Sequence, residues 1–257
     1  MTLLNDTLII FSKYYPDFFE GVIITLYISI IGTIIGASIG LGVGIIRTIP
    51  LPKEKNLSFF LIKLINILLN CYVEFFRATP MIVQAMVFYY GLAEFTGIQL
   101  NKMFAAYIIV SINTGAYMSE IVRGGIVSID KGQFEAAKAL GMNHFKTMKN
   151  IIIPQVIRNI LPATGNEFII NIKDTSVLMV ISVAELFYKT KSIAGTTFKV
   201  FPTFLITCVI YLILTITITT ILRTIEKKMD GQKNYKLITD DMNGNQMQLI
   251  KSTDIKQ

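Results

Sequence analysis

Histidine and cysteine are nearly missing from this chain: His144 is the single imidazole, and Cys71 and Cys208 are the only thiols among 257 residues. One histidine cannot make the two-histidine zinc site of a membrane metalloprotease, so no metal site is expected, and His144 reads as a surface residue of a polar connecting stretch. Both cysteines fall in apolar segments, where packed thiols are the ordinary state, and no disulfide framework is indicated. The pattern Gly-x-x-x-x-Gly-Lys-Ser/Thr is absent, so the chain is expected not to hydrolyse nucleotide and to carry no cofactor of its own. Asp6, Asp17 and Glu20 stand where a signal peptide needs a basic n-region, and no small-residue cleavage site follows, so no cleavage is expected. Neither an internal repeat nor a separate soluble or extracellular binding domain is evident.

Charge is scarce as well, at 16% of residues against 53% hydrophobic, and a mean hydropathy of +0.57 is too apolar for a soluble domain of this size. The net charge of +7 does not point to nucleic acid, because the cations alternate with apolar runs instead of gathering on one soluble face. Gly21 to Ile46 carries no charge and as a helix reaches roughly 39 Å, enough to cross a hydrocarbon layer of about 30 Å with some tilt. Four further segments follow: a region from Leu57 to Phe95, then Met103–Val122, Leu161–Leu186 and Val200–Leu222. In the first of these Lys63, Asn66 and Asn70 interrupt the apolar run, and Pro80 either kinks one helix or separates two.

Parity decides how often that region crosses. With one crossing there and five in all, the links holding Arg47, Lys53 and Lys55, and Arg123 through Lys149, face the same side as Arg223, Lys227 and Lys228. The positive-inside rule then holds throughout, with the N-terminus outside and the C-terminus inside. The expected division is an extracytoplasmic segment over 1–20, a transmembrane domain over 21–222 with a cytoplasmic loop at about 123–160, and a polar, mobile cytoplasmic tail over 223–257. Gly32, Gly36, Gly40 and Gly44 recur at every fourth position, a smooth stripe along which helix backbones approach closely in lipid.

The loop has its own local logic. Asp130 followed by Gln133 resembles a capping box, Phe134 to Leu140 favour helix, and Gly141 is a natural stop. Asn143 caps a second helix in which Phe145, Met148, Ile151 and Ile152 recur at helical spacing, an apolar face outside the bilayer. That face either docks on a protein partner or lies on lipid headgroups, the latter aided by Lys138, Lys146 and Lys149.

The same stretch reads Glu135-Ala136-Ala137, three residues, Gly141, nine residues, then Ile151-Ile152-Ile153-Pro154. It resembles the EAA loop by which membrane subunits of bacterial ABC importers dock on their ATPases, departing only at Ile153, where leucine is usual. Arg77-Ala78-Thr79-Pro80 with Gln84, Gly115-Ala116-Tyr117 with Glu120, Arg123-Gly124, Gly132-Gln133, Pro154-Gln155, Asn166 and Lys173-Asp174-Thr175-Ser176 together resemble the polar amino acid permease family, from about Gly21 to Leu222. The resemblance implies an all-α integral membrane protein with the five-helix core of a type I ABC importer permease, in the bacterial cytoplasmic membrane. It further implies a second permease subunit, identical or different, two ATPase subunits that bind ATP and Mg, and an extracytoplasmic amino-acid-binding protein. Glu135, Ala136, Ala137, Gly141, Phe145 and Met148 are then the ATPase-coupling residues, the small ones letting a partner's groove approach the backbone.

Polar residues in the spans are candidates for the path of a polar or charged L-amino acid, because intramembrane ionisable groups are costly and default to function. Ser111, Asn113, Thr114, Glu120, Asn171, Lys173, Asp174, Thr175 and Ser176 qualify. Each has a structural alternative: Glu120 an ion pair with Arg123, Lys173 and Asp174 neutralisation of neighbouring helices, and Ser111, Asn113 and Thr114 hydrogen bonds between helices. Glu167 and Glu185 add further carboxylates of unassigned orientation. The competing function is an ATPase-independent channel or carrier for a small polar solute, which leaves the Glu135 loop without a role.

Overall fold

The computed structural model describes residues 2–52 and 54–229, and these contain helices and turns without a strand. In chain order they are α1 (Thr2–Ile46), α2 (Leu57–Ala78), α3 (Met81–Thr96), α4 (Lys102–Val127), α5 (Lys131–Ala139), α6 (His144–Thr147), α7 (Ile153–Asp174), α8 (Leu186–Thr197) and α9 (Val200–Met229). A π turn over Met148–Ile152 joins α6 to α7, and a 3₁₀ helix over Thr175–Ile181 follows α7. Three helices, α1, α2 and α9, are long and apolar enough to cross a membrane; α4 and α7 match them in length but carry more polar side chains.

The glycine stripe of α1 is the seat of α4. A Cβ built on Gly32, Gly36, Gly40 or Gly44 would meet Val110, Thr114, Met118 or Val122 at under 3.0 Å. These four partners are themselves one turn apart, so two straight ridges lie backbone to backbone, and dispersion replaces the hydrophobic effect that lipid withholds. Gly42, off the stripe, faces open space.

Against another face of α4, α2 and α3 run in sequence and in the opposite direction. Asn70 accepts from Arg47 beside Glu120, Tyr72 donates its hydroxyl to the Ile112 carbonyl at 2.6 Å, and Ala85 packs in one cluster with Ala105, Ala106 and Ile109. Gly115 leaves room for the Tyr72 phenol, which would lie 2.8 Å from any Cβ there. The chain bends between α2 and α3 at Pro80, as a proline without an N–H requires.

Two expected boundaries move. Leu161–Leu186 is not one helix: α7 ends at Asp174, and the 3₁₀ segment closes on Ser182 at φ 59°. Thr175 draws its hydroxyl back to the Ile172 carbonyl at 3.0 Å, the local competition that β-hydroxyl residues offer a helix. The expected tail also starts later, since α9 continues through residues 223–229; residues 230–257 lie outside the described residues. The expected N-terminal segment over 1–20 is helical and continuous with the first span, tied to α8 by Lys189 bonding Glu20 at 2.8 Å and Asp17 at 3.5 Å, and to Lys199 through Asp6.

Candidate functional site

Breaking a helix inside an apolar layer strands carbonyls that water cannot reach. At the α2–α3 bend the Phe76 carbonyl would ordinarily receive the N–H of residue 80, which proline lacks. Gln84 supplies the donor: its Nε2 lies 2.9 Å from the carbonyls of Phe76 and Thr79 and 2.8 Å from the Thr79 hydroxyl. The oxygen of the same amide accepts from Asn113 Nδ2 at 2.9 Å, which turns α4 toward the bend.

Beside this network a cavity of about 210 Å³ opens between α3, α4 and α7, lined by Met81, Asn113, Tyr117, Glu167, Ile170, Asn171 and Asp174. It has space for about seven waters at the liquid volume. Glu167 and Asp174 are seven residues apart on α7 and so share a face. Neither joins an ion pair among the described residues. The cavity therefore presents two carboxylates, two amides and a phenol, a set suited to holding a cation or a hydrogen-bond donor. Arg77 stands over the Tyr117 ring, 5.8 Å from its centroid.

The sequence-derived path residues divide between cavity and scaffold. Asn113, Asn171 and Asp174 line the cavity. Asn171 also donates to Thr33 at 2.8 Å and accepts from Thr114 at 3.1 Å, a buried polar knot joining α1, α4 and α7. Thr114 is thus interhelical, and Thr175 is spent on its own helix. Ser111 is buried, with its hydroxyl oxygen unpartnered. Lys173 is exposed and Ser176 half-buried, and neither lines the cavity. Glu120 is clamped by two arginines, Arg47 at 2.5 Å and Arg123 at 2.9 Å; the ion-pair alternative describes its geometry, with Arg47 as an added partner. Tyr117 completes the cavity without having been singled out for it, and Glu167, noted as a carboxylate of unassigned orientation, takes its place there. Their signal is helical spacing, Glu167 seven before Asp174 and Tyr117 four after Asn113.

The Glu135 loop folds along the local rules. Asp130 caps α5 by accepting from Gly132 N at 2.6 Å. At the other end Gly141, φ 73°, sends its N–H to Lys138 O at 3.0 Å, and Met142 sends its own to Ala137 O at 3.0 Å. These paired bonds form the Schellman closure that glycine favours. Asn143 then accepts from Lys146 N at 2.9 Å to start α6. Glu135, Ala136 and Gly141 are exposed, and Ala137 is buried. The apolar face splits: Met148 and Ile152 pack with Val122, Ile126 and Val156 in the chain's own core, while Phe145 and Leu140 remain 72% and 80% exposed. Among the described residues, Phe145 of that face and the neighbouring Leu140 are the ones left uncovered.

A helical scaffold with a polar, charge-bearing cavity between α3, α4 and α7 and a capped, exposed helical elbow is the architecture of a solute-translocating membrane subunit. Residues 57–231 match the family described as binding-protein-dependent transport system inner membrane component, and the chain belongs to that family, which places it in the inner membrane as a permease subunit. It is 37% identical over 215 residues to the glutamine transport system permease protein GlnP of Escherichia coli K12, spanning 83% of this chain and 93% of that one. It is 34% identical over 214 residues to the arginine transport system permease protein ArtQ of Bacillus subtilis 168, with the same shares covered. Among solved structures, an amino acid ABC transporter crystallised with histidines superposes with a TM-score of 0.75 at 36% identity, over 84% of this chain and 96% of that one. The MetNI methionine ABC transporter, inward facing, superposes with a TM-score of 0.70 at 16% identity over 84% and 98%, a likeness of fold.

Proposed function

We propose that this chain is a pore subunit of an ATP-driven importer for a polar or positively charged L-amino acid, and that the cavity bounded by Glu167 and Asp174 is where the solute pauses. The observation that carries the substrate class is this unpaired pair of carboxylates on one face of α7, Glu167 half-buried and Asp174 exposed at the cavity. Left without a cation they are costly, and an α-ammonium, with or without a cationic side chain, supplies one. Tyr117 and the second amide N–H of Asn171 provide donors for the carboxylate or side-chain amide, the Asn113 amide being spent on Gln84 and the Phe76 carbonyl. Relatives named for glutamine and arginine transport fit the same chemistry.

In this reading the chain crosses five times, N-terminus outside, with α1, the broken pair α2–α3, α4, α7 and α9 as the crossings. The antiparallel course of α2 and α3 along α4 supports a single crossing there. A second permease subunit completes the pore and a binding protein delivers solute from outside. Two ATPase subunits, carrying ATP and Mg, grip the elbow around Glu135, Ala136, Ala137 and Gly141, with Phe145 as the apolar contact and Met148 supporting it from behind. Closure of the ATPase pair moves the elbow, and the continuous helix from α6 into α7 carries that motion to Glu167 and Asp174.

The test is ATPase activity of the complex reconstituted with its ATPase and binding protein, against a panel of L-amino acids. One amino acid should stimulate turnover, and Gly141→Asp, which adds a charge to the exposed elbow and strains its left-handed backbone at φ 73°, should abolish the stimulation. Activity indifferent to every amino acid overturns the substrate class. Failure of the subunits to associate favours the uncoupled channel.

A further inference from the structure

Helix α2 carries more polar residues than a lipid-facing helix needs. Lys63, Asn66, Asn70, Glu74 and Arg77 follow one another three or four residues apart, so all five fall on one stripe of the helix. Val73 and Tyr72 mark the side of α2 turned toward α4, one fully buried and the other bonded to Ile112. Leu57, Phe60, Leu64, Leu68 and Phe75 spread over a further, exposed face. The polar stripe is neither of these. Lys63, Asn70, Glu74 and Arg77 are all exposed, and Asn66 Oδ1 is buried with no protein partner.

Glu74 and Arg77 form no ion pair with one another or with any other described residue. Glu74 and Arg77 lie roughly 6 and 10 Å along the helix from Asn70, which is held at the Arg47 cluster, so they reach from that charged end into the bundle. An unpaired carboxylate and a guanidinium on a helix of this apolar scaffold require water or a counter-charge. The two places where the stripe touches the rest of the chain fix what it borders. Arg77 lies on Tyr117, a wall of the carboxylate cavity, and Asn70 holds Arg47 in the Arg47–Glu120–Arg123 cluster near the end of α4. One end of the stripe thus meets the cavity, and its middle meets the charged end of the bundle.

We infer that the part of the stripe formed by Asn70, Glu74 and Arg77 lines a water-filled passage connecting the Glu167–Asp174 cavity to the Arg47 end of the bundle, that Asn66 and Lys63 continue it outward from that end, and that charges of both signs stand along its wall. The inference rests on the transport reading of that cavity and adds its exit. A zwitterion meets a carboxylate at Glu74 and cations at Arg77 and Lys63, so neither of its charges is left without a partner on the way, while an ion of a single charge meets repulsion at one of these positions.

The test uses the assembled importer in inverted membrane vesicles, with Cys71→Ala and Cys208→Ala to remove the native thiols. Glu74→Cys and Lys63→Cys are each compared with Leu64→Cys and Leu68→Cys for reaction with a membrane-impermeant anionic methanethiosulfonate. Because only a hydrated thiol ionises and reacts, the stripe positions should react about tenfold or more faster than the apolar-face positions. Equal, slow rates at both stripe positions overturn the inference, as does protection of the stripe by a dry contact with the second subunit, read as Glu74→Cys self-cross-linking without labelling. Amino-acid-stimulated ATPase activity, measured in the same vesicles carrying the parent protein, separates the two readings. Slow labelling with intact stimulation overturns the passage alone, whereas fast labelling without stimulation overturns the amino acid reading and leaves a hydrated passage.

Discussion

Gln84 donates its side-chain amide to the Phe76 carbonyl at 2.9 Å, standing in for the backbone N–H that Pro80 does not have. A side chain eight residues downstream thereby repairs a break in the main chain, and its other end holds Asn113. Gln84→Leu should lower the unfolding free energy by about 1–3 kcal/mol, since the half-buried Phe76 and Thr79 carbonyls lose their close donor and Asn113 keeps only its 3.5 Å contact to the Phe76 carbonyl. Pro80→Ala returns an N–H to Phe76, so the double variant should lose less than the sum of the single variants. Thermal melts of all four proteins in detergent measure the coupling, and strict additivity would refute the repair.

On the α1 ridge, Gly40→Ala forces a methyl into Met118 and the backbone behind it. Overpacking of this kind costs about 1–3 kcal/mol. Gly42→Ala, two residues away and facing open space, should be neutral or stabilising by up to about 1 kcal/mol through helix propensity. The same melting experiment, run on the pair, distinguishes a packed stripe from a tolerance of glycine in general.

Two carboxylates of α4 and α7 should fail in opposite ways. Glu120→Gln removes the anion between Arg47 and Arg123 and should lower the melting temperature while the concentration of amino acid giving half-maximal ATPase stimulation stays unchanged. Glu167→Gln should leave the melting temperature close to that of the parent and raise that concentration by about tenfold or more, the worth of one charge-assisted contact. Matching shifts in both properties for both variants would remove the distinction between scaffold and site.

Lys189 titrates above its ordinary value near 10.5, chiefly because Glu20 accepts a hydrogen bond from its ammonium, with the charges of Glu20 and Asp17 acting in the same direction. A raised folded-state value means that the folded protein holds this proton more tightly. The stabilisation is fully present below about 10.5 and is lost as pH climbs through the higher folded value. The melting temperatures of the parent and of Lys189→Met should therefore differ at pH 8 and converge as the solution approaches the strongly alkaline range; a gap that persists there would contradict the linkage.

Local chemistry was the most legible part of this chain. Asp130, Gly141 and Asn143 each end or begin a helix as their side chains dictate, because caps and turns depend on residues a few positions away. The glycine stripe was equally readable as a packing surface, although only the fold names Val110, Thr114, Met118 and Val122 as its partners. Met148 and Ile152 show where periodicity runs out: it reports an apolar face but not whether that face meets a partner or the chain's own α4. Asp174 shows a second limit, since the change from α to 3₁₀ there turns on a balance between hydroxyl and backbone hydrogen bonds that composition does not settle. The cavity was half visible. Asn113, Asn171 and Asp174 stood out as polar residues in apolar runs, but pairing them with Glu167 and Tyr117 required knowing how three helices turn.

Helix α1 runs for 45 residues with Pro16 inside it, about 67 Å, and is fastened at Asp6 and Glu20 to the α8–α9 region and, just past its end, by Arg47 to Glu120. It is a strut under end constraints. With its stripe seated on α4 from Gly32 to Gly44, any tilt of α4 would have to be shared by the length of rod beyond Pro16, whose far end is pinned at Glu20 and Asp6.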